Sequence, residues 1–548
     1  MTSTLTSVKS FDGIKNSDKP VSPAQRYLST RGGCYGLSFE KTVLKGLAPD
    51  GGLFIPEEIP SLPGDWESKW GNISFLELAF EILSLYISTS EIPTVDLKDI
   101  ISRSYSSFRV PDITPLVTLD ERKKLHLLEL FHGPTFAFKD VALQFLGNLF
   151  EYFLTRKNKG KSGQDRYHLT VVGATSGDTG SAAIYGLRGK KDVSVFILHP
   201  KGRVSPIQEA QMTTVLDPNV HNLAIQGTFD DCQDIVKALF ADSEINKHLN
   251  LGAVNSINWA RILAQITYYF QAYFLLKKST SYKSGHKIRF VVPTGNFGDV
   301  LAGYFAKRMG LPIDKLLIAT NENDILDRFW KTGKYEKKVF NGAQGQGGIA
   351  ADGVKAHESG VKETMSPAMD ILVSRINDDD NKQQAGLEVK VWLEALKSNG
   401  GFQVPDHILH IAKRDFESEM ISDSQTLETI KDFYSPVAQV ANRESYTLDP
   451  HSAIGVATSL LSIQRNVSNE FHHVALATAH PAKFAHAVEL ALKDEKEFDF
   501  KSILPAQFID LEKKEKRVQI VEKSAGWEGV RSIIVQEVKT ELEYQKNT

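Results

Sequence analysis

A unit that recurs from Leu125 onward constrains this chain most: a short apolar run, a tight turn, then an apolar helix. Leu125-His126-Leu127-Leu128-Glu129-Leu130, Leu169-Thr170-Val171-Val172, Val193 to Leu198 and Lys287 to Val292 each have strand length and are apolar enough to be buried. Helical patterns after the glycine turns supply the crossovers that parallel strands need, so the predicted class is α/β, with parallel sheets covered by helices. The 548 residues exceed one ordinary core, and about two to four domains are expected.

Within the first unit, Gly133-Pro134 turns the chain after the strand, and Asp140 to Phe150 reads as an apolar helix. Lys139 lies at the junction, beside Phe136, Phe138, Val141 and Ala142. Burial among such neighbours disfavours an ammonium and lowers the amine pKa, as a Schiff-base lysine requires. A snorkelling lysine whose stem packs on Phe138 fits the same ten residues.

Two further turns carry chemistry. Gly173-Ala174-Thr175-Ser176-Gly177-Asp178-Thr179-Gly180 is predicted to be the turn after Val172, with a helix starting at Ser181. Pro293-Thr294-Gly295-Asn296-Phe297-Gly298-Asp299 precedes a helix from Val300. A glycine turn at a helix N-terminus leaves backbone N–H groups unpaired beside the positive end of the dipole, which suits a phosphate. Neither turn has the Walker A or Rossmann spacing, and each alone is also compatible with a plain strand-to-helix connection. Phe471 to Ala477 reads as a further strand ending at Thr478, whose hydroxyl would face the crevice where open α/β sheets bind ligands.

Composition narrows the partners. Lys+Arg 64 against Asp+Glu 67 leaves a net charge of -3, with no basic field for nucleic acid or an anionic membrane. Cys34 and Cys232 have no ligand spacing, so neither a disulfide framework nor a zinc site is expected, and a reducing, cytosolic compartment fits best. His472 and His473 are adjacent and would point to opposite faces of a strand, against a shared metal. Ile262 to Leu276 is interrupted by Gln265 and Gln271 and is short of the ~20 apolar residues of a membrane span, so it is predicted to be a buried helix. Met1 to Pro23 lacks the apolar region of a secretory signal and reads as a disordered tail. Ser74-Phe75-Leu76-Glu77 has capping-box spacing and opens a helix through Ile87.

A desolvated lysine, a phosphate-binding turn and a strand-end hydroxyl are the parts that hold pyridoxal phosphate. Lys139 would carry the cofactor, the Gly295, Asn296, Phe297, Gly298, Asp299 loop its phosphate, and Thr478 its ring nitrogen. A hydroxyl there does not hold the ring protonated as a carboxylate would, which suits elimination or replacement over transamination.

The motifs in combination resemble the threonine synthases of the fungal and enterobacterial type, fold type II pyridoxal phosphate enzymes with tryptophan synthase β-like parallel sheets. They include Ser29-Thr30-Arg31-Gly32, Asp50-Gly51-Gly52-Leu53, the Lys139 decapeptide, Thr175 to Gly180, Asn255-Ser256-Ile257-Asn258-Trp259-Ala260-Arg261, Gly295 to Asp299 and Thr478-Ala479-His480-Pro481-Ala482-Lys483-Phe484. The resemblance runs from about Tyr27 to Asp370 and resumes after about Trp392. It implies conversion of O-phosphohomoserine and water to threonine and phosphate, with Lys139 shuttling protons at the substrate carbons. It also implies that Thr175, Ser176, Gly177, Asp178 and Thr179 receive the substrate carboxylate, with Asp178 near the cofactor's phenolic oxygen.

Ser256, Asn258, Arg261 and Lys483 become candidates for the substrate phosphate, although Asn258 and Arg261 fit helix capping equally well. The implied organisation is a tail over 1–23, an N-terminal α/β unit over 24–120 and a two-lobed catalytic region over 121–548, with a glycine-rich insert near 341–360. After Ser374 the chain departs from the family, with Arg375-Ile376-Asn377-Asp378-Asp379-Asp380-Asn381 where an apolar helix is expected. A phospho-lyase releasing a keto acid and a non-catalytic paralogue therefore stand as alternatives, and oligomeric state is not legible.

Overall fold

Runs that are apolar on both faces bury best side by side under helices, and the computed structural model gathers them into two large sheets. It describes residues 25–253, 258–336, 382–435, 445–466, 468 and 470–547. The tail, Ser256, the glycine-rich insert and the segment around Ser374 lie outside the described residues. The larger sheet has six strands in the order Phe416–Met420, Ile313–Thr320, Lys287–Pro293, Phe471–Ala477, Leu125–Glu129 and Leu116–Asp120. All neighbours are parallel except the last pair. The second sheet has five parallel strands, Gln519–Glu522, Val220–Gln226, Val193–Pro200, Leu169–Ala174 and Leu251–Ala253.

The predicted membrane-free helix is Trp259–Lys277, with nearly every side chain buried. It packs on the helices Lys139–Lys157, Gly298–Met309 and Phe75–Tyr86, and one hydrophobic core runs from Tyr27 through these elements to Leu476. Among the described residues no helix is long and apolar enough to cross a membrane. The Ser74 capping box forms as its spacing predicts, with Ser74 accepting from the Glu77 amide and Glu77 accepting from Ser74. The motifs near Ser29 and Asp50 meet each other: Ser29 Oγ donates to Asp50 Oδ1 at 2.7 Å, and Arg31 Nη1 to the Asp50 carbonyl at 3.0 Å.

Several boundaries differ from expectation, and the helix expected from Asp140 already starts at Lys139. Gly173 and Ala174 extend the strand rather than open the turn, because they pair with Ile197 and Leu198. The helix then begins at Asp178, not Ser181, so Asp178, Thr179 and Gly180 form its first turn. The later helix likewise begins at Gly298, not Val300. In both cases the helix reaches further back into the turn than the apolar pattern suggests, because its first residues, Asp178-Thr179-Gly180 and Gly298-Asp299, carry no apolar periodicity.

The helices Lys139–Lys157 and Asp178–Leu187 approach unusually closely. A Cβ on Gly147 would lie 1.9 Å from the Gly186 carbonyl oxygen, and one on Gly186 would lie 2.5 Å from the Leu143 carbonyl oxygen. Only hydrogen at both positions permits this contact. It sets the distance between two helices whose first residues are Lys139 and Asp178.

Candidate active site

Three neighbouring parallel strands of the six-stranded sheet, Lys287–Pro293, Phe471–Ala477 and Leu125–Glu129, end on the same side. The first leads into Gly295 to Gly298, the second into Thr478, and the third into the Lys139 turn. Residues separated by more than 300 positions in sequence thus meet at one sheet end, where α/β folds bind ligands.

The turn before Lys139 is held from several sides. Phe138 N donates to the Thr478 carbonyl at 2.8 Å, and His480 N donates to the Phe136 carbonyl at 3.1 Å. Asp140 is fully buried and accepts from Thr135 N and Thr135 Oγ1, each at 2.7 Å. Burial pushes the Asp140 carboxyl up to about 6 against those bonds. Arg109 donates to the carbonyls of Gly133 and Pro134 and lies 3.6 Å from the centroid of the Phe136 ring. Phe136 has φ +59°, a conformation costly for an aromatic residue, and these contacts hold it there. Lys139 Nζ lies 4.9 Å from the Phe138 ring centroid. Desolvation lowers its pKa; Asp178 opposes the shift, while Lys483 and Arg261 add to it.

Facing Lys139 across the cleft, the turn after Leu169–Ala174 is organised by Thr175. Its Oγ1 accepts from Gly177 N at 3.0 Å and Gly180 N at 2.9 Å. Gly177 has φ +156°, and a Cβ there would lie 2.5 Å from Gln208 Oε1. Ser176 is exposed, and Thr179 is half-buried in the first helical turn. Asp178 Oδ1 accepts from Gln208 Nε2 and meets Lys483 Nζ, both at 2.7 Å. Burial alone would raise this carboxyl, but the ammoniums of Lys483 and Lys139 outweigh it and hold Asp178 well below the usual carboxylate range.

The loop before Gly298–Met309 is open where a phosphate would sit. Gly295 and Asn296 are exposed, and a Cβ on Gly295 would meet nothing within 4 Å. Among the described residues the N-cap position, Phe297, supplies no side-chain hydrogen bond to this helix, which leaves its first N–H groups available to an anion. Phe297 is fully buried and stacks on Trp330. Asp299 turns inward as well: Tyr268 and Tyr269 hydroxyls donate to its Oδ1, and burial pushes it up to about 6. The arrangement fits a pyridoxal phosphate: a desolvated amine, an open cradle of backbone donors, and Thr478 at the strand end between them.

The remaining candidates separate. Asn258 caps Trp259–Lys277, accepting from Ala260 N at 3.0 Å, while its Nδ2 donates to the Val43 carbonyl at 2.9 Å. Both ends of that side chain are therefore taken. Lys483 has a fully buried side chain and also donates to the Thr135 carbonyl at 2.8 Å. Arg261 is buried, and desolvation lowers its pKa to about 10. Sequence reasoning missed Arg109 and Gln208, whose contacts are made with residues distant in the chain. It also missed His451, although Asp449-Pro450-His451 carries a legible helix start, an N-cap acid followed by proline.

Fold and site together define a fold type II pyridoxal phosphate enzyme, and the pyridoxal-phosphate-dependent enzyme family matches residues 110–379. The threonine synthase N terminus and C-terminal families match residues 26–105 and 452–534. The chain is 55% identical to the threonine synthase of Schizosaccharomyces pombe over 88% of its own length and 92% of that protein. The crystal structure of threonine synthase from yeast is 50% identical, covers 94% of this chain and 99% of its own, and superposes with a TM-score of 0.85. That of pyridoxal phosphate-bound threonine synthase from Brucella melitensis is 37% identical over 94% of this chain and 99% of its own, with a TM-score of 0.78. The chain belongs to the threonine synthase family. Its cofactor is pyridoxal phosphate, and it is a lyase.

Proposed function

We propose that the chain converts O-phosphohomoserine and water to L-threonine and phosphate, with Lys139 as the proton-transferring base and acid. The observation that carries this reading is the convergence of Lys139, the open Gly295 turn and Thr478 at one sheet end. Pyridoxal phosphate, when bound, supplies an electron sink for charge developing on the substrate carbons. Lys139 would hold it covalently, the N–H groups from Gly295 to Gly298 would hold its phosphate, and Thr478 would donate to its ring nitrogen. Desolvation lowers the Lys139 pKa and so favours the free amine, the form that takes a proton from substrate carbon and returns it. Thr175 shapes the turn that receives the substrate carboxylate, while Ser176 and Thr179 offer donors at its rim. Asp178 stays ionised and orients Lys483 and Gln208 beside Lys139. Cys34 and Cys232 are free thiols, which suits a reducing, cytosolic setting.

The test is turnover of O-phosphohomoserine by the purified chain, following threonine and phosphate together. Equal amounts of both, abolished in Lys139→Ala, are expected. Phosphate accompanied by a keto acid would instead show a phospho-lyase, and no phosphate from a cofactor-loaded protein would refute the substrate.

A further inference from the structure

Asp449 is buried and caps the helix Pro450–Arg465, accepting from the amides of His451 and Ser452. Its Oδ1 also lies 3.1 Å from His451 Nδ1. The His451 ring meets Phe484 edge-on at 5.0 Å between centroids, so it sits directly beside the Lys483 segment. Its side chain keeps 38% of its surface exposed, whereas Lys483 beside it has none. With Nδ1 engaged by Asp449, Nε2 carries no hydrogen bond among the described residues. Charged groups reach the ring from three elements: Asp449 from its own helix, Asp178 from Asp178–Leu187, and Lys139 from Lys139–Lys157. Burial pulls the imidazolium down, but Asp449, with Asp178 behind it, outweighs burial and Lys139 and holds it above its ordinary value.

The reaction needs such a group. A phosphate monoester, with a second pKa of about 6, is dianionic at neutral pH. Breaking its carbon–oxygen bond without a proton would expel a trianion. Asn258 is no acid and is spent on a helix cap and on Val43, and Lys483 is held by Asp178 and the Thr135 carbonyl, which favour its staying charged.

We propose that His451, oriented by Asp449, binds the phosphate group of the substrate through Nε2 and protonates it as it leaves. This rests on the phosphorylated substrate proposed above. The Cγ–O bond breaks, its electron pair departs with the phosphate oxygen, and the Nε2 proton moves to the phosphate. Lys139 takes a proton from substrate carbon in the same elimination and releases it to solvent, and the imidazole regains one from solvent, so no co-reactant is consumed. Asp449 is a positioning residue that fixes which nitrogen faces the substrate.

His451→Gln in the holoenzyme should lower kcat by roughly 100-fold or more, the range of a lost general acid. It should also remove the fall of activity at high pH, which in the wild type follows deprotonation of His451. Asp449→Asn retains a good helix cap and should move that high-pH limb to lower pH, since it removes the acid that raises the imidazole. Calorimetric titration of both holo-proteins with inorganic phosphate should show weaker binding by His451→Gln, and weaker binding by the wild type once His451 deprotonates. An unchanged kcat with an unchanged high-pH limb overturns the proposal. If the wild type releases no phosphate from O-phosphohomoserine, the substrate reading fails separately. The calorimetric arm then still decides: equal phosphate affinity in the two proteins refutes the role of His451.

Discussion

At the scale of single residues, the ion pair of Lys483 and Asp178 ties the two sides of the cleft together. Both side chains are withdrawn from water, at 0% and 12% exposure, so removing one partner leaves a charge stranded in low dielectric. Lys483→Met is expected to destabilise the fold by roughly 3–5 kcal/mol, as for other broken buried pairs. The double variant Lys483→Met with Asp178→Asn should lose less, because no bare carboxylate remains. Urea unfolding of the two single variants and the double measures the coupling, and strict additivity would show that the pair is not a unit. The ammonium of Lys483 also donates to the Thr135 carbonyl, so the same variant should loosen the turn that presents Lys139.

Between elements, the contact of Gly147 with Gly186 is the closest constraint on the site. The two helices begin at Lys139 and Asp178, and their separation where Gly147 meets Gly186, near the middle of one and the C-terminal end of the other, sets the spacing of their first turns. Gly147→Ala must push a methyl against the Gly186 carbonyl oxygen. Overpacking of this kind costs about 1–3 kcal/mol and shifts the backbone. The expected result is a lower unfolding midpoint together with reduced kcat, although the substituted residue touches neither substrate nor cofactor. A variant with unchanged kcat and stability would show that the helices can separate freely.

At the scale of the whole molecule, buried histidines set a lower pH limit on stability. His126 Nε2 lies 3.0 Å from His472 Nδ1, and His472 Nε2 lies 2.9 Å from His286 Nδ1, forming a chain of rings across three strands or their approaches. His473, on the opposite face as its adjacency predicts, meets Ser462 at 2.9 Å. Burial is the largest cause lowering His126 to about 4, and His472 and His473 to about 3. Their folded pKa values lie below the ordinary 6.5, so the unfolded chain binds more protons throughout the interval between. The stability that these neutral rings contribute is fully present above 6.5 and is lost as pH falls through about 4 to about 3. Urea midpoints measured across that range should decline steadily, and a flat profile would contradict the burial of these rings in the native state.

Much of this was legible in the residues. Apolar runs of strand length, turns and the Ser74 capping box announced the parallel sheets and several element ends, because each depends on neighbours within a few positions. The motifs around Lys139, Gly295 and Thr478 announced the chemistry of the cofactor. What local sequence could not show was which side chains had already been claimed. Asn258 is spent on a helix cap and on Val43, and Asp299 is turned inward to Tyr268 and Tyr269. Lys483 is bound to Asp178, and Arg109 braces a turn more than 20 residues downstream. The sequence by itself determined the fold class and the kinds of group available for catalysis. Only the tertiary structure decided how they are deployed, because strand order and helix separation bring together residues hundreds of positions apart, and burial then sets which charges and hydrogen bonds each can keep.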